Sequence, residues 1–460
     1  MNRLEPGCES AATNAHDQLF ETVTRRRAAL AAAAVGLTAA AFLLGGVLRE
    51  WSSPGRASEA SAATGQSLGS EFAAGDTAAT ITALQASLRS NPENVHGLGV
   101  LGLAYQQRAR ETGDPSYFPK SAGVLRRALR LAPNDLIATT GLGALALSRH
   151  RFREGLALGR RAVALSPTTA RGYGIVGDAL VELGRYEQAF AAFDRMASLK
   201  PSVSSYARVS YARELLGDTR GAAQAMQLAV DAAVGQPEAL AWSHTQLGKL
   251  YWSHGRIKAA EHQYRAAQAV FPGYVYAFDA LAQVEAARGR LRGAIALERR
   301  AVDTIPLPQF VGTLGDLQGA VGDRGAARKQ YALIGAIQRL LRANGVKTDL
   351  ETALFDVDHA VRLPHALALA RAARAERPSI DGDDVLSWAL LRNGRCGDAL
   401  RFSERALRLG TQDASKLFHR AMIERCLGRG AEARLWFRRA LALNPHFSLL
   451  WAPVARRYAS

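Results

Sequence analysis

Residues Leu247–Pro272 read LGKLYWSHGRIKAAEHQYRAAQAVFP. A Leu-Gly step precedes Tyr251, Gly255 follows, Ala260 stands four residues before Tyr264, and Pro272 closes the stretch. Apolar residues recur at helical spacing on both sides of Gly255, the pattern of two helices joined by a glycine turn. Period decides whether this is a lone hairpin or one unit of an array. Prolines stand at 133, 167 and 201, and again at 272 and 306, a step of 34 residues within each run. Self-similarity at such a period marks a repeat architecture. With this proline at position 32, units begin near Val95, Leu136, Ala170, Val203, Ala241, Val275, Pro308, Lys347, Ile380 and Ala414. The opening stretch belongs to the fifth of these ten.

The same residue types return at the same places. Positions 7 and 8 are Leu101-Gly102, Leu142-Gly143, Val176-Gly177, Leu247-Gly248 and Leu314-Gly315. Positions 20 and 27 are alanine in most units, and position 24 is bulky at Phe193, Met226, Tyr264, Tyr331 and Phe437. Two helices approach closely only where side chains are small, and the large residue fills the space beyond. Position 15 is glycine in seven units (Gly184, Gly217, Gly255, Gly289, Gly322, Gly394, Gly428), where a left-handed residue ends the first helix. Proline at position 32 stops the second.

These residues resemble the tetratricopeptide repeat family, in the form of a bacterial member with an N-terminal membrane anchor. The resemblance implies an all-α fold, a right-handed α-solenoid of about ten helix-turn-helix repeats. It also implies a concave groove lined by first helices at positions 2, 5, 9, 12 and 13. Carried over, those positions give Arg171, Asp178, Glu182, Tyr211, Glu214, Trp242, Lys249, Trp252, Tyr276, Asp279 and Asp316 as the partner-binding groove. Aromatics interleaved with charge suit a protein or peptide ligand. The alternative for the tryptophans is simple packing between neighbouring first helices. Lys249 falls where some members clamp a chaperone's C-terminal carboxylate, but the accompanying asparagines are missing, which argues against a chaperone co-receptor.

Four departures stand out. The first unit carries about seven extra residues between Tyr105 and Ser121, predicting a longer turn there. Extra residues at 231–239 and 335–345 predict lengthened helices or a bend. The unit at Lys347 lacks a turn glycine. Asp76–Pro92 reads as a half-repeat, and 446–460 as the capping helix a solenoid needs over its last apolar face.

Upstream, Ala28–Leu48 is 21 residues without a charge, about 31 Å of helix, close to the hydrocarbon thickness. Arg25-Arg26-Arg27 precede it and Trp51 follows. The arginine bias predicts a cytoplasmic tail at 1–27, a single-pass cell-membrane anchor at 28–48 and the repeats outside the cytoplasm. A cleavable signal ending near Ala60-Ser61-Ala62 is the rival reading, and both export the remainder. Residues 49–76, rich in Ser, Ala, Gly and Glu, read as a flexible linker to an array at 77–445.

Net charge is +17 among 460 residues, with 48% hydrophobic and 22% charged, ordinary for a chain that buries a core. Much of the basic excess is Arg-Arg pairs at one phase of the repeat (Arg126-Arg127, Arg160-Arg161, Arg299-Arg300, Arg438-Arg439). This reads as a solvated face and argues against nucleic acid. The second reading is a polyanion-binding convex surface for nucleic acid, anionic lipid or wall polymer. The cysteines are Cys8, Cys396 and Cys426, without C-x-x-C; buried free thiols are the expectation, with a Cys396–Cys426 disulfide as the alternative. GLGALA at 141–146 matches helix packing better than a phosphate loop. No catalytic, metal or cofactor motif is present, so the expectation is a non-catalytic scaffold.

Overall fold

The computed structural model describes residues 77–460, and every regular element there is an α-helix. Helix α1 (Thr77–Ser90) leads, and ten antiparallel pairs follow. They are α2 and α3 (Val95–Thr112, Tyr117–Leu131), α4 and α5 (Leu136–Ser148, Phe152–Leu165), α6 and α7 (Ala170–Glu182, Tyr186–Leu199), and α8 and α9 (Val203–Leu215, Thr219–Ala232). Then come α10 and α11 (Pro237–Ser253, Ile257–Val270), α12 and α13 (Val275–Ala287, Leu291–Thr304), and α14 and α15 (Pro308–Ala320, Arg324–Ala343). The last pairs are α16 and α17 (Asp349–Asp358, Leu363–Glu376), α18 and α19 (Ile380–Arg392, Cys396–Ala406), and α20 and α21 (Ala414–Cys426, Gly430–Leu443), with α22 (Ala452–Ala459) closing the chain.

The repeat positions act as their chemistry predicts. Tyr264 fills the space over Gly248 and Phe193 that over Gly177, so closely that a Cβ on either glycine would collide with the ring. Ala260 and Ala267 are fully buried. Gly255 turns with φ 67° and the other position-15 glycines are likewise left-handed. Side-chain caps from Asn94, Asp135, Asp218, Asp323 and Asp413 start the helices they precede. GLGALA lies inside α4, with Gly143 against Ile175.

The extra residues of the first unit extend α2 to 18 residues instead of lengthening the turn, because Gly113 (φ 69°) supplies the helix stop late. Those near 335–345 extend α15 to 20 residues. In the eighth unit, where glycine is missing, Ala360 and Arg362 take left-handed φ of 55° and 43°, which costs an L-residue about 1–2 kcal/mol. Cys396 and Cys426 are bonded, Cα to Cα 6.0 Å, and Cys426 is exposed. The expectation of buried free thiols is thereby corrected: the second helix of one unit begins where the first helix of the next ends.

At the C-terminus, Trp451 stacks on Phe418 at 5.6 Å between ring centroids and meets Trp388 edge-on. The indole N–H groups of Trp388 and Trp451 both donate to Asp358 Oδ1 at 2.9 Å. This buries the last apolar face under α22, shorter than the span 446–460 read from sequence. Among the described residues no helix is long and apolar enough to cross a membrane. The tail, the span expected at 28–48, the linker and Cys8 lie outside the described residues.

Candidate functional site: the interior of the coil

First helices pack on the first helices of neighbouring units, α2 on α4, α4 on α6 and α10 on α12, so they line the inside of the curve. Second helices form the outside: α11 buries only Ala260, Tyr264 and Ala267. The coil is tight enough for successive turns to touch. A Cβ on Gly113, in the first unit, would lie 2.6 Å from Ile305 of the sixth. His150 of the second unit bonds the Lys347 carbonyl at 2.7 Å, at the border of the seventh and eighth. The Tyr186 hydroxyl of the third accepts from the Ile380 N–H at 2.7 Å, just past Pro378, which closes the eighth. Thr411 of the ninth donates to Leu215 O of the fourth at 2.5 Å. Asn444 of the tenth donates to Trp252 O of the fifth at 2.8 Å. Each contact sets the turn between two helices of one unit against the end of the unit five further on.

Packing between neighbouring units, and for Glu182 between turns, encloses five of the residues expected to face a ligand. Asp316 and Glu182 are 1% and 2% exposed. Trp242, Trp252 and Asp279 are buried as well, the tryptophans in apolar clusters. Arg171, Asp178, Tyr211, Glu214, Lys249 and Tyr276 are half-buried. Packing is thus the structural role of both tryptophans, whereas the half-buried set lines the interior.

Charge inside is paired across units and across turns. Arg208 binds Asp178 bidentately, at 2.9 and 2.7 Å. Arg377, nearly enclosed, grips Glu182 through Nε and through Nη2 at 3.0 Å, and donates Nη1 to Glu351 at 2.9 Å. Lys416 lies between Asp381 at 2.9 Å and Asp413 at 2.7 Å. Burial, reinforced by Asp413 and Asp381 and opposed by Lys416 and Lys249, pushes the Glu214 carboxyl up to about 7. Burial also pushes Asp279 up to about 6, against the pull of Lys249, and lowers the Lys249 ammonium. In the seventh and eighth units, Asp316 accepts from Tyr331 Oη at 2.5 Å and meets His359 Nε2 at 2.8 Å. Burial would lower His359, but Asp316 and Asp358 outweigh it and hold the imidazole at about 9.

Glu351, His359, Asp381, Asp384 and Trp388 occupy the same repeat positions in units eight and nine, and extending the position rule to those units finds them. Arg377 and Lys416 had no such signal: Arg377 is brought inside by the stacking of turns, and Lys416, outside the groove positions, by packing against Asp381 of the preceding unit. Among the described residues no group of three or more His, Cys, Asp and Glu side chains could hold a metal ion.

A tetratricopeptide repeat family model matches residues 140–204, 245–307 and 385–446. The matched stretches are tetratricopeptide repeats, and the described residues as a whole form an all-α solenoid of antiparallel helix pairs. An 85-residue stretch, 18% of this chain, is 34% identical to the Hsp70-Hsp90 organizing protein of Triticum aestivum and covers 15% of that protein's length. Among solved structures, a thermophilic TPR protein of Thermus thermophilus is similar at 23% identity and a TM-score of 0.36, over 42% of this chain and 98% of that one. YrrB, described as a TPR protein with an unusual peptide-binding site, is similar at 19% identity and a TM-score of 0.28, over 46% of this chain and 99% of that one.

Proposed function

We propose that this protein is a membrane-anchored, non-catalytic scaffold whose interior binds protein or peptide partners outside the cytoplasm. The observation that carries the reading is the half-buried set Tyr211, Glu214, Lys249 and Tyr276 inside the coil. There, Glu214 and Lys249 carry charges that burial disfavours, and a complementary ligand would relieve that cost. The contacts that close successive turns are hydrogen bonds and ion pairs between loops and helix ends, which a ligand can exchange for its own. The apolar stretch Ala28–Leu48 supports the anchor, and the Cys396–Cys426 bond suits an oxidising compartment. The likeness of one stretch to a protein named as an organizer of Hsp70 and Hsp90 is consistent with a scaffold role.

The test is crosslinking in living cells and affinity capture of the full chain, run beside Glu214→Gln/Lys249→Met. Trp242 and Trp252 are unsuitable probes, since truncating a buried tryptophan costs about 3–5 kcal/mol of folding. Partners lost with the double substitution, and hydrogen-exchange protection of α8 and α10 by a recovered partner, support the reading. An identical partner set from both versions refutes it.

A further inference from the structure

The outer surface carries an organised charge of its own. Positions 25 and 26 lie on the outer face of every second helix. Each is arginine in six of ten units, and all of these arginines are exposed. They are not spread evenly around the coil. The second unit follows the first, and coiling sets the sixth against the first through Gly113 and Ile305. Thus Arg126 and Arg127 on α3, Arg160 and Arg161 on α5, and Arg299 and Arg300 on α13 belong to units that the fold brings together. None of the six forms an ion pair with a carboxylate among the described residues; Arg161 donates to Pro133 O and Arg300 lies over Phe278. Of the other arginines at these two positions, Arg265 pairs with Glu261, whereas Arg195, Arg371, Arg405, Arg438 and Arg439 form no ion pair with a carboxylate among the described residues. Asp303, on α13, is the exposed carboxylate one turn beyond Arg299.

Two further observations select the ligand. Leu131, 40% exposed, ends α3 beside Arg127, and Leu333, 39% exposed, stands at position 26 of the seventh unit, which the coil sets against the second. Arginine mixed with exposed leucine suits a headgroup layer, where cations meet phosphates and apolar tips enter the acyl boundary. The second observation is the point of entry. Thr77, the first described residue, donates to Glu111 at 2.5 Å, two residues before the Gly113 turn. The chain therefore enters the array beside the first and sixth units.

We propose that the arginine face of the first, second and sixth units docks on an anionic lipid bilayer, the one that the N-terminal segment enters. This rests on the anchor reading for its geometry, but its chemistry can be tested separately. The array would lie against the surface rather than swing from its tether, with the inside of the coil still facing solvent at its ends.

The experiment floats the full chain with liposomes of phosphatidylcholine alone and of phosphatidylcholine with phosphatidylglycerol. It also reads energy transfer from a fluorophore at Ala296→Cys, on the exposed side of α13, to labelled headgroups. Flotation with neutral liposomes reports the anchor. Docking predicts transfer that is high only with the anionic lipid. High salt should abolish it, as should Arg126→Gln/Arg127→Gln/Arg160→Gln/Arg161→Gln/Arg299→Gln/Arg300→Gln. Replacing Arg371, Arg405, Arg438 and Arg439 by glutamine should leave it unchanged. If the chain does not float with neutral liposomes, the anchor reading fails; docking then predicts salt-sensitive flotation with anionic liposomes, weakened about a hundredfold or more by the six substitutions. Equal transfer from both lipids, or transfer indifferent to the six substitutions, overturns the proposal. So does tight binding of a DNA duplex by the same arginines with no lipid preference.

Discussion

Arg377→Met tests whether the turns of the coil are held together by buried charge. Arg377 reaches Glu182 across 195 residues of sequence, and both side chains are at most 6% exposed. Removing the guanidinium leaves Glu182 enclosed with no cation against it. Breaking a buried pair in this way costs about 3–5 kcal/mol. The cost is capped by protonation, because burial already raises the Glu182 carboxyl and the variant removes the opposing pull of Arg377. A carboxyl raised above its unfolded value of 4.5 binds more protons when folded. The added loss is therefore small near that pH and grows as pH rises. The assay is hydrogen exchange of peptides spanning 182–186 and 377–380, at acid and neutral pH. A loss of about 3 kcal/mol accelerates exchange there by about 150-fold at neutral pH. Far-ultraviolet circular dichroism should barely change, because helix pairs pack within their own units. Glu182→Gln/Arg377→Met should recover most of the protection. Exchange that is equally fast in the single and double variants, or a loss independent of pH, would falsify the account.

Four further outcomes follow from single residues. His359, held at about 9, stabilises the fold below its unfolded value of 6.5, and that contribution disappears as pH rises through 9. Urea titrations of the native chain should lose about 3 kcal/mol over that window relative to His359→Gln, and parallel curves would exclude the effect. Ala360→Gly should raise the thermal midpoint by relieving the left-handed φ, a gain of about 1 kcal/mol; a lower midpoint would contradict it. Glu298 is fully buried on α13, neither carboxylate oxygen has a hydrogen-bond partner, and burial raises it well above the carboxylate range. Glu298→Met should therefore stabilise the protein by about 1–3 kcal/mol at neutral pH, less in acid; urea midpoints that do not move would show the carboxyl to be solvated. Reducing the Cys396–Cys426 bond, which closes 30 residues, should cost about 3–4 kcal/mol in chain entropy, read as a drop in midpoint that Cys396→Ser reproduces and reductant no longer deepens.

The repeat was legible from sequence because each of its residues acts locally. Gly248 makes room for Tyr264 on the next helix, Gly255 turns the chain between them, and Pro272 stops the second helix. Their spacing gives the ten pairs, and the resemblance to the tetratricopeptide repeat family adds that the first helix of each faces inward. The interior was legible only in part. Asp178, Glu214, Lys249 and Asp279 follow from position in the repeat, but their partners do not. Arg208 meets Asp178 because adjacent units pack, and Arg377 meets Glu182 because the coil returns on itself after five units. That return depends on small rotations between units accumulated over about 195 residues, set by side-chain volumes at every interface rather than by any motif. For the same reason, no local pattern determined the gathering of arginines from units one, two and six on one side, whereas the enclosure of Trp242 and Trp252 and the Cys396–Cys426 bond need only the packing of neighbouring units. Local chemistry wrote the unit, and the coiling of units decided which charges are buried, which are paired and which are left facing outward.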